Sequence, residues 1–204
     1  MESGAPLAPQ IDASASASAS SRARRLHHHL IEWVVLVVLA LLVAVGLRLY
    51  AFQTFSIPSG SMEPTLMVGD RIIVDKLAVD WGTIHRGDIV VFYSPPREDC
   101  GGTRDPILVK RVIGIPGDRL YSLANTIYVN GRPLREAWSH TEPLGPPAIA
   151  SPTRPVVVPA HRYYMIGDNH SDSCDSRYWG TVARSAIIGK VFVRVWPLTR
   201  LAYF

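Results

Sequence analysis

Two serines one residue apart, Ser59 and Ser61, lie between two prolines in the stretch Ile57-Pro58-Ser59-Gly60-Ser61-Met62-Glu63-Pro64-Thr65-Leu66. Proline fixes φ and removes a donor, so this bracketing makes a stiff, turned loop on which a hydroxyl can be held exposed. A hydroxyl held that way is a candidate nucleophile if a base can reach it. The plainer alternative is a turn that caps a short helix. A second stretch, Asp105 to Asp118, reads DPILVKRVIGIPGD. Strand alternation puts Lys110 on one face with Leu108 and Val112, and Arg111 on the other with Val109 and Ile113. One of two adjacent cations must therefore share an apolar face. Either Lys110 snorkels at a sheet edge, or it is buried, deprotonated and available as a general base. A free lysine titrates near 10.4, and bringing it to about 8.5 takes roughly 2.6 kcal/mol of desolvation, within what burial supplies. A third stretch, Gly167 to Gly180, reads GDNHSDSCDSRYWG and is polar although it follows an apolar run. Its acids and Arg177 suggest a loop knitted by hydrogen bonds whose task is to position other groups.

Other chemistries are poorly served. His85 and His161 fall in polar turns and His140 in a Pro-rich stretch, so each reads as a surface residue rather than a base. His170 and Cys174 are spaced i, i+4 but lack a third ligand, so no metal is expected, and no cofactor. Two cysteines exclude a multi-disulfide scaffold and a four-thiolate zinc site. Neither cysteine has a base in its sequence context that would make it a nucleophile. The 21 Lys+Arg are interleaved with 17 Asp+Glu, giving a net charge of +4, and no aromatic-basic run stands out; nucleic-acid binding is not expected.

The elements that must position these groups can be read along the chain. Residues 1–29 carry an Ala-Ser alternation from Ala13 to Ser20 and few large apolar groups, and are expected to be a disordered tail. Residues 30–52 are apolar apart from Glu32 and Arg48. As a helix this stretch would span about 34 Å, enough for a hydrocarbon core of about 30 Å with both charges near its ends. Trp33, Tyr50 and Phe52 suit the interfaces. A cleaved signal peptide and a buried core helix are the alternatives; the small-residue site Ala44-Val45-Gly46 lies inside the apolar run, where a cleavage site should follow it. Arg22, Arg24 and Arg25 place the tail in the cytoplasm and everything after Phe52 across the membrane. Residues 53–204 are the size of one domain. Short Val/Ile/Tyr-rich runs (71–75, 89–93, 107–115, 126–129, 163–166 and 187–196) separated by Gly-Asp pairs predict a mostly β domain, with Asn130-Gly131 as a hairpin turn. Residues 136–161, rich in proline, are expected to form a surface excursion.

Taken together and in order, PSGSMEPTL, GDIVVF, VKRVIGIPGD and GDNHSDSCDSRYWG, after an N-terminal apolar segment, resemble the type I signal peptidases. These are membrane-bound Ser-Lys proteases that remove signal peptides from exported preproteins. The resemblance covers Phe55 to Pro197 apart from the Pro-rich stretch. It implies an antiparallel, partly barrel-like catalytic domain on one transmembrane helix, outside the cytoplasm. Position by position it implies Ser61 as nucleophile and Lys110 as base, an oxyanion hole from the Ser61 N–H and the Ser59 hydroxyl, and Ser173 orienting Lys110 by a hydrogen bond. Asp175 with Arg177, and Asp168 with Arg111, are implied as structural support. Substrates would bind as an extended strand, with small residues of an Ala-X-Ala site facing pockets lined by Ile57 and Val109. Phe52, Phe55, Ile57 and Met62 are expected to touch the lipid bilayer. One anchor and no large inserted subdomain are expected, unlike the best-known members, and with eight residues after Trp196 no C-terminal anchor is expected. A Cys100–Cys174 disulfide is hypothesised, against two idle thiols. The competing functions are a membrane-tethered binding module without catalysis and a related Ser-Lys protease such as a self-cleaving repressor.

Overall fold

The computed structural model describes residues 31–46, 50–96, 100, 105–135, 138 and 144–204. The expected tail, with Arg22, Arg24 and Arg25, lies outside the described residues, as does His140. The chain divides into two compact units, Met1–Arg48 and Leu49–Phe204. In the first, residues 31–46 form the helix α1, exposed along its whole length. Among the described residues no helix is long and apolar enough to cross a membrane. Phe52, counted above with the apolar span, instead begins a strand.

The second unit is built from strands β1 (Phe52–Ser56), β2 (Arg71–Asp75), β3 (Ile89–Tyr93), β4 (Ile107–Gly114), β5 (Arg119–Leu123), β6 (Thr126–Val129), β7 (Arg132–Pro133), β8 (Val156–Val157), β9 (Arg162–Ile166), β10 (Val182–Ala183), β11 (Ile187–Trp196) and β12 (Ala202–Tyr203). Two one-turn helices, α2 (Leu77–Asp80) and α3 (Ser176–Trp179), interrupt them. The strands form an eight-stranded sheet ordered β1-β2-β11-β3-β4-β9-β10, with β12 on β11, and a four-stranded sheet ordered β7-β6-β5-β8. Every pairing is antiparallel. The mostly β, antiparallel expectation holds. Barrel-like closure does not, because the large sheet is open between β1 and β10. At two residues, β10 is too short to carry a closing ladder.

The middle of the large sheet, at β3, is covered on both faces. Val90 and Phe92 of β3 join a core with Val112, Met165 and Trp179, while Ile89 and Val91 join another with Ile57, Met62, Leu66, Ile72 and Val74. A strand buried on both faces reads as a continuous apolar run, which is why β3 was legible as IVVF. A third core of Ile113, Leu120, Ile127, Tyr164 and Ile166 joins the small sheet to the large one. Where it is described, the Pro-rich stretch is largely exposed, as a surface excursion would be, but it is pinned to the core at several points. Leu144, Ile149 and Val158 are buried in that third core, and β8 pairs with β5. Its apolar residues come in short groups, Ile149 with Ala150 and Val156 with Val158, too brief to show a period against the prolines around them.

Three Gly-Asp pairs build the same turn. Asp70, Asp88 and Asp118 each accept a hydrogen bond from the backbone N–H three residues earlier, on Met67, His85 and Ile115, at 2.8–2.9 Å. The intervening glycines have φ of 87°, 97° and 90°, a region that disfavours a Cβ. The fourth pair, Gly167-Asp168, does something different.

Candidate active site

β1 runs into a loop that is closed at its base, where the Ile57 N–H donates to the Asp70 carbonyl and the Gly69 N–H to the Ile57 carbonyl, both at 2.9 Å. Inside it, Gly60–Met62 make one 3₁₀ turn preceded by an extended Ser59 (φ −133°, ψ 160°). Ser59 makes no side-chain cap bond, so the capping alternative fails; its Oγ lies 3.4 Å from Ser61 Oγ. Ile57, Met62 and Leu66 are core residues at 3%, 1% and 0% exposure. They anchor the turn from below, and Ile57 and Met62 therefore do not touch lipid as expected.

Lys110 reaches this turn from β4. Strand β3 pairs with β4 from Ile107 to Arg111, but β9 joins the other edge only from Arg111 onward, leaving Ile107 to Lys110 outside that ladder. Lys110 is 3% exposed, and its Nζ donates to Ser61 Oγ at 2.5 Å. A lysine this buried is not snorkelling. Two clefts meet at the pair. The smaller, about 210 Å³, is lined by Ile57, Met62, Leu108 and Val109 among others, and the larger, about 350 Å³, by Asp172, Ser173, Cys174 and Tyr178; Ser59, Ser61 and Lys110 belong to both. Ile57 and Val109 both line the smaller cleft.

Arg111, on the opposite face of β4, grips Asp168 with two parallel bonds, Nε to Oδ1 at 2.8 Å and Nη2 to Oδ2 at 2.6 Å. It also donates to the Gly87 carbonyl at 2.8 Å and lies over the Trp138 ring at 4.6 Å. Asp168 also accepts from the Thr65 hydroxyl, which donates to Oδ2 at 2.5 Å, so the pair ties the Ser61 loop to β4. Asp175 and Arg177 form a second fork, Nε to Oδ1 and Nη2 to Oδ2, both at 2.8 Å, with both side chains fully buried. Asp175 caps α3 by accepting from the Arg177 N–H, and Arg177 donates onward to the carbonyls of Leu144, His170 and Ser173. The polar loop is knitted as its composition suggested. Cys100 and Cys174 are disulfide-bonded, with Cα atoms 6.0 Å apart.

Ser173 departs from expectation. It is buried and lines the larger cleft with Lys110, but its Oγ has no hydrogen-bond partner, so the expected bond to Lys110 is not made. Three contributors escaped the sequence reading. Asn169 donates from its backbone N–H to the Ser61 carbonyl at 3.2 Å and from Nδ2 to the Gly60 carbonyl at 3.1 Å. Thr65 links the loop to Asp168. Gly167 lets the polar loop pass against the Ser61 carbonyl and Ser173, where a Cβ would collide with both. The position of Gly167 and Asn169 beside Asp168 was the only local signal, and it does not say which carbonyls they face.

An open antiparallel β domain that buries a lysine against a loop serine, beside a cleft and an incompletely paired strand edge, has the makings of a Ser-Lys hydrolase. Comparison with known proteins narrows this. Residues 30–196 match the family "Signal peptidase, peptidase S26", and the chain belongs to that family. It is similar to "Probable signal peptidase I-2" of Synechocystis sp., with 39% identity over 164 residues, covering 80% of this chain and 72% of the relative. It is also similar to "Signal peptidase I" of Bacillus caldolyticus, with 37% identity over 172 residues, covering 80% and 90%. A solved signal peptidase I from Enterococcus faecalis V583 aligns at 26% identity with a TM-score of 0.41, over 53% of this chain and 96% of that one.

Proposed function

We propose that this protein is a serine endopeptidase that removes N-terminal signal peptides from exported preproteins, with Ser61 as nucleophile and Lys110 as general base. The observation that carries the residue assignment is the 2.5 Å hydrogen bond between Lys110 Nζ and Ser61 Oγ at the junction of two clefts. Burial of Lys110 removes its ammonium from water and so works against the charged form, the direction a base requires. The neutral amine takes the Ser61 proton along this contact, Ser61 Oγ attacks the scissile carbonyl, and the lysinium gives the proton to the leaving amine as the C–N bond breaks; a water deprotonated by the same amine then hydrolyses the acyl-enzyme and restores Ser61. The Ser61 N–H and the Ser59 hydroxyl stabilise the oxyanion, an interaction typically worth about 3 to 4 kcal/mol in the transition state.

The substrate adds as an extended strand along Ile107 to Lys110, the part of β4 that β9 leaves outside its ladder. Small residues of an Ala-X-Ala site then face the cavity lined by Ile57 and Val109. The apolar segment that starts at residue 30 and ends before β1 anchors the chain in the cell membrane, with the tail in the cytoplasm and the β domain outside it, as the basic cluster before that segment suggests. Phe52, Phe192 and Tyr203 are exposed, with ring centroids 6.2 Å and 5.7 Å apart in sequence, and give the catalytic unit a lipid-facing apolar surface. Flotation of residues 49–204 with liposomes tests this last point; a protein that stays at the bottom of the gradient refutes it. The main test is cleavage of a preprotein bearing an Ala-X-Ala site by the detergent-solubilised chain, beside Lys110→Met. Cutting after the second Ala by wild type and none by the folded variant is expected. Cleavage that survives without Lys110 would move the base elsewhere.

A further inference from the structure

The loop that carries Ser61 is gripped from a second side by Asp70, Arg194 and Arg200, none of which lies in the four motifs PSGSMEPTL, GDIVVF, VKRVIGIPGD and GDNHSDSCDSRYWG. Asp70, at the loop's base, is 2% exposed. Besides the Met67 N–H, its carboxylate takes both oxygens' worth of contact from Arg200 Nη1, at 3.1 Å each, and a longer one from Arg194 Nη1 at 3.5 Å. Arg194 lies on β11 and Arg200 on the 3₁₀ turn Leu198–Arg200 that follows it. Arg194 Nε donates to the Arg200 carbonyl at 2.5 Å, locking the two together. The two guanidiniums also reach consecutive carbonyls of the loop: Arg200 Nη2 donates to Pro64 at 3.1 Å, and Arg194 Nη1, besides its Asp70 contact, donates to Thr65.

Two guanidiniums on one carboxylate are a poor source of stability. Burial, and then the Arg200 charge, push the Arg194 pKa below the ordinary arginine value, against the pull of Asp70. The arrangement provides geometry instead, since planar donors fix the carbonyls they meet. We propose that Arg194 and Arg200, clamped together by Asp70, are positioning residues for Ser61. They hold Pro64 and Thr65 by their carbonyls while Asp168 holds Thr65 by its hydroxyl and Asn169 holds Gly60 and Ser61. Pinned on both sides, the turn presents Ser61 where Lys110 reaches it. The proposal rests on the Ser61–Lys110 reading.

The test uses the full chain with Arg200→Met, Arg194→Met and Arg200→Lys. Arg200→Met is expected to lower kcat about ten- to a hundredfold with KM within about twofold, the signature of a misplaced reacting group. It is also expected to shift the acid limb of the pH–rate profile, which reports the Lys110 amine. Arg200→Lys keeps the charge beside Asp70 but cannot serve Asp70 and Pro64 in parallel, so it should recover the melting temperature and not kcat. Hydrogen exchange of the Gly60 to Leu66 amides should rise in Arg200→Met while β3 and β4 stay protected. An unchanged kcat, or a loss that only tracks the unfolded fraction, overturns the proposal. So does unchanged exchange over 60–66, whatever the activity. A wild-type chain that cuts nothing instead refutes the peptidase reading, and the exchange result still decides whether the arginines hold the loop.

Discussion

At Gly167 the backbone passes so close to Ser61 that a methyl group has nowhere to go. Gly167→Ala must push both the Ser61 carbonyl and Ser173 aside, or shift its own backbone. Overpacking of this kind costs about 1–3 kcal/mol, and it acts on the atoms whose placement matters most. The expected outcome is a lowered melting temperature and a fall in kcat/KM of about a hundredfold, read from thermal unfolding and steady-state cleavage. Ser173→Ala should behave differently. The Ser173 hydroxyl is buried without a partner, so its removal is expected to leave the melting temperature unchanged or to raise it slightly. A clear drop would show that the hydroxyl makes a stabilising bond after all. Tyr164 sets an alkaline limit. Burial first, and Asp175 second, raise its phenol pKa well above the ordinary value of about 10. Above that pH the unfolded chain loses this proton while the folded one keeps it, so stability is full below about pH 10 and declines as pH rises past it. Replacing Tyr164 by Phe should flatten that part of the stability–pH curve.

At the scale of elements, the polar loop over 167–180 is held less by regular structure than by its two Arg–Asp forks. Removing one partner of a fully buried pair strands the other charge, which typically costs about 3–5 kcal/mol. Arg177→Ala would leave the Asp175 carboxylate in that position and would also free the Leu144, His170 and Ser173 carbonyls. Loss of cooperative unfolding at ordinary temperature, seen by circular dichroism, is the expected result. The β5–β6 hairpin offers the opposite case. Its turn residues Ala124 and Asn125 have φ of 48° and 63°. A left-handed alanine costs roughly 1 kcal/mol, so Ala124→Gly should raise the melting temperature by a few degrees. The neighbouring β6–β7 hairpin turns on Asn130 and Gly131 at 52° and 79°, the residue pair that announces such a turn. One hairpin was therefore readable and the other was not, because Leu-Ala-Asn-Thr carries no glycine to mark the turn.

At the scale of the whole molecule, the Cys100–Cys174 disulfide closes a loop of 74 residues of separation that contains β4 to β9. Constraining the unfolded chain over that length is worth about 4 kcal/mol in the chain-entropy description. Thiol titration of the untreated folded protein should find none, and reduction should lower the unfolding temperature; two free thiols at the outset would contradict the bond. What the amino-acid sequence determined by itself was local. Alternation and Gly-Asp punctuation placed β2, β3, β6 and β11 at their observed bounds, and the prolines around Ser59 to Ser61 marked a stiff loop. Side-chain chemistry singled out a lysine that had to share an apolar face. Only the tertiary structure decided that Lys110 meets Ser61 across 49 residues of chain, and that the sheet stays open. It also decided that Arg194 and Arg200 turn inward onto Pro64 and Thr65. The physical reason is the same in each case. Backbone preferences and hydrophobic period act over a few residues, whereas β2 finds β11 more than a hundred residues away. A charged side chain satisfied by water and one satisfied by a distant carbonyl look alike until the fold brings that carbonyl within reach.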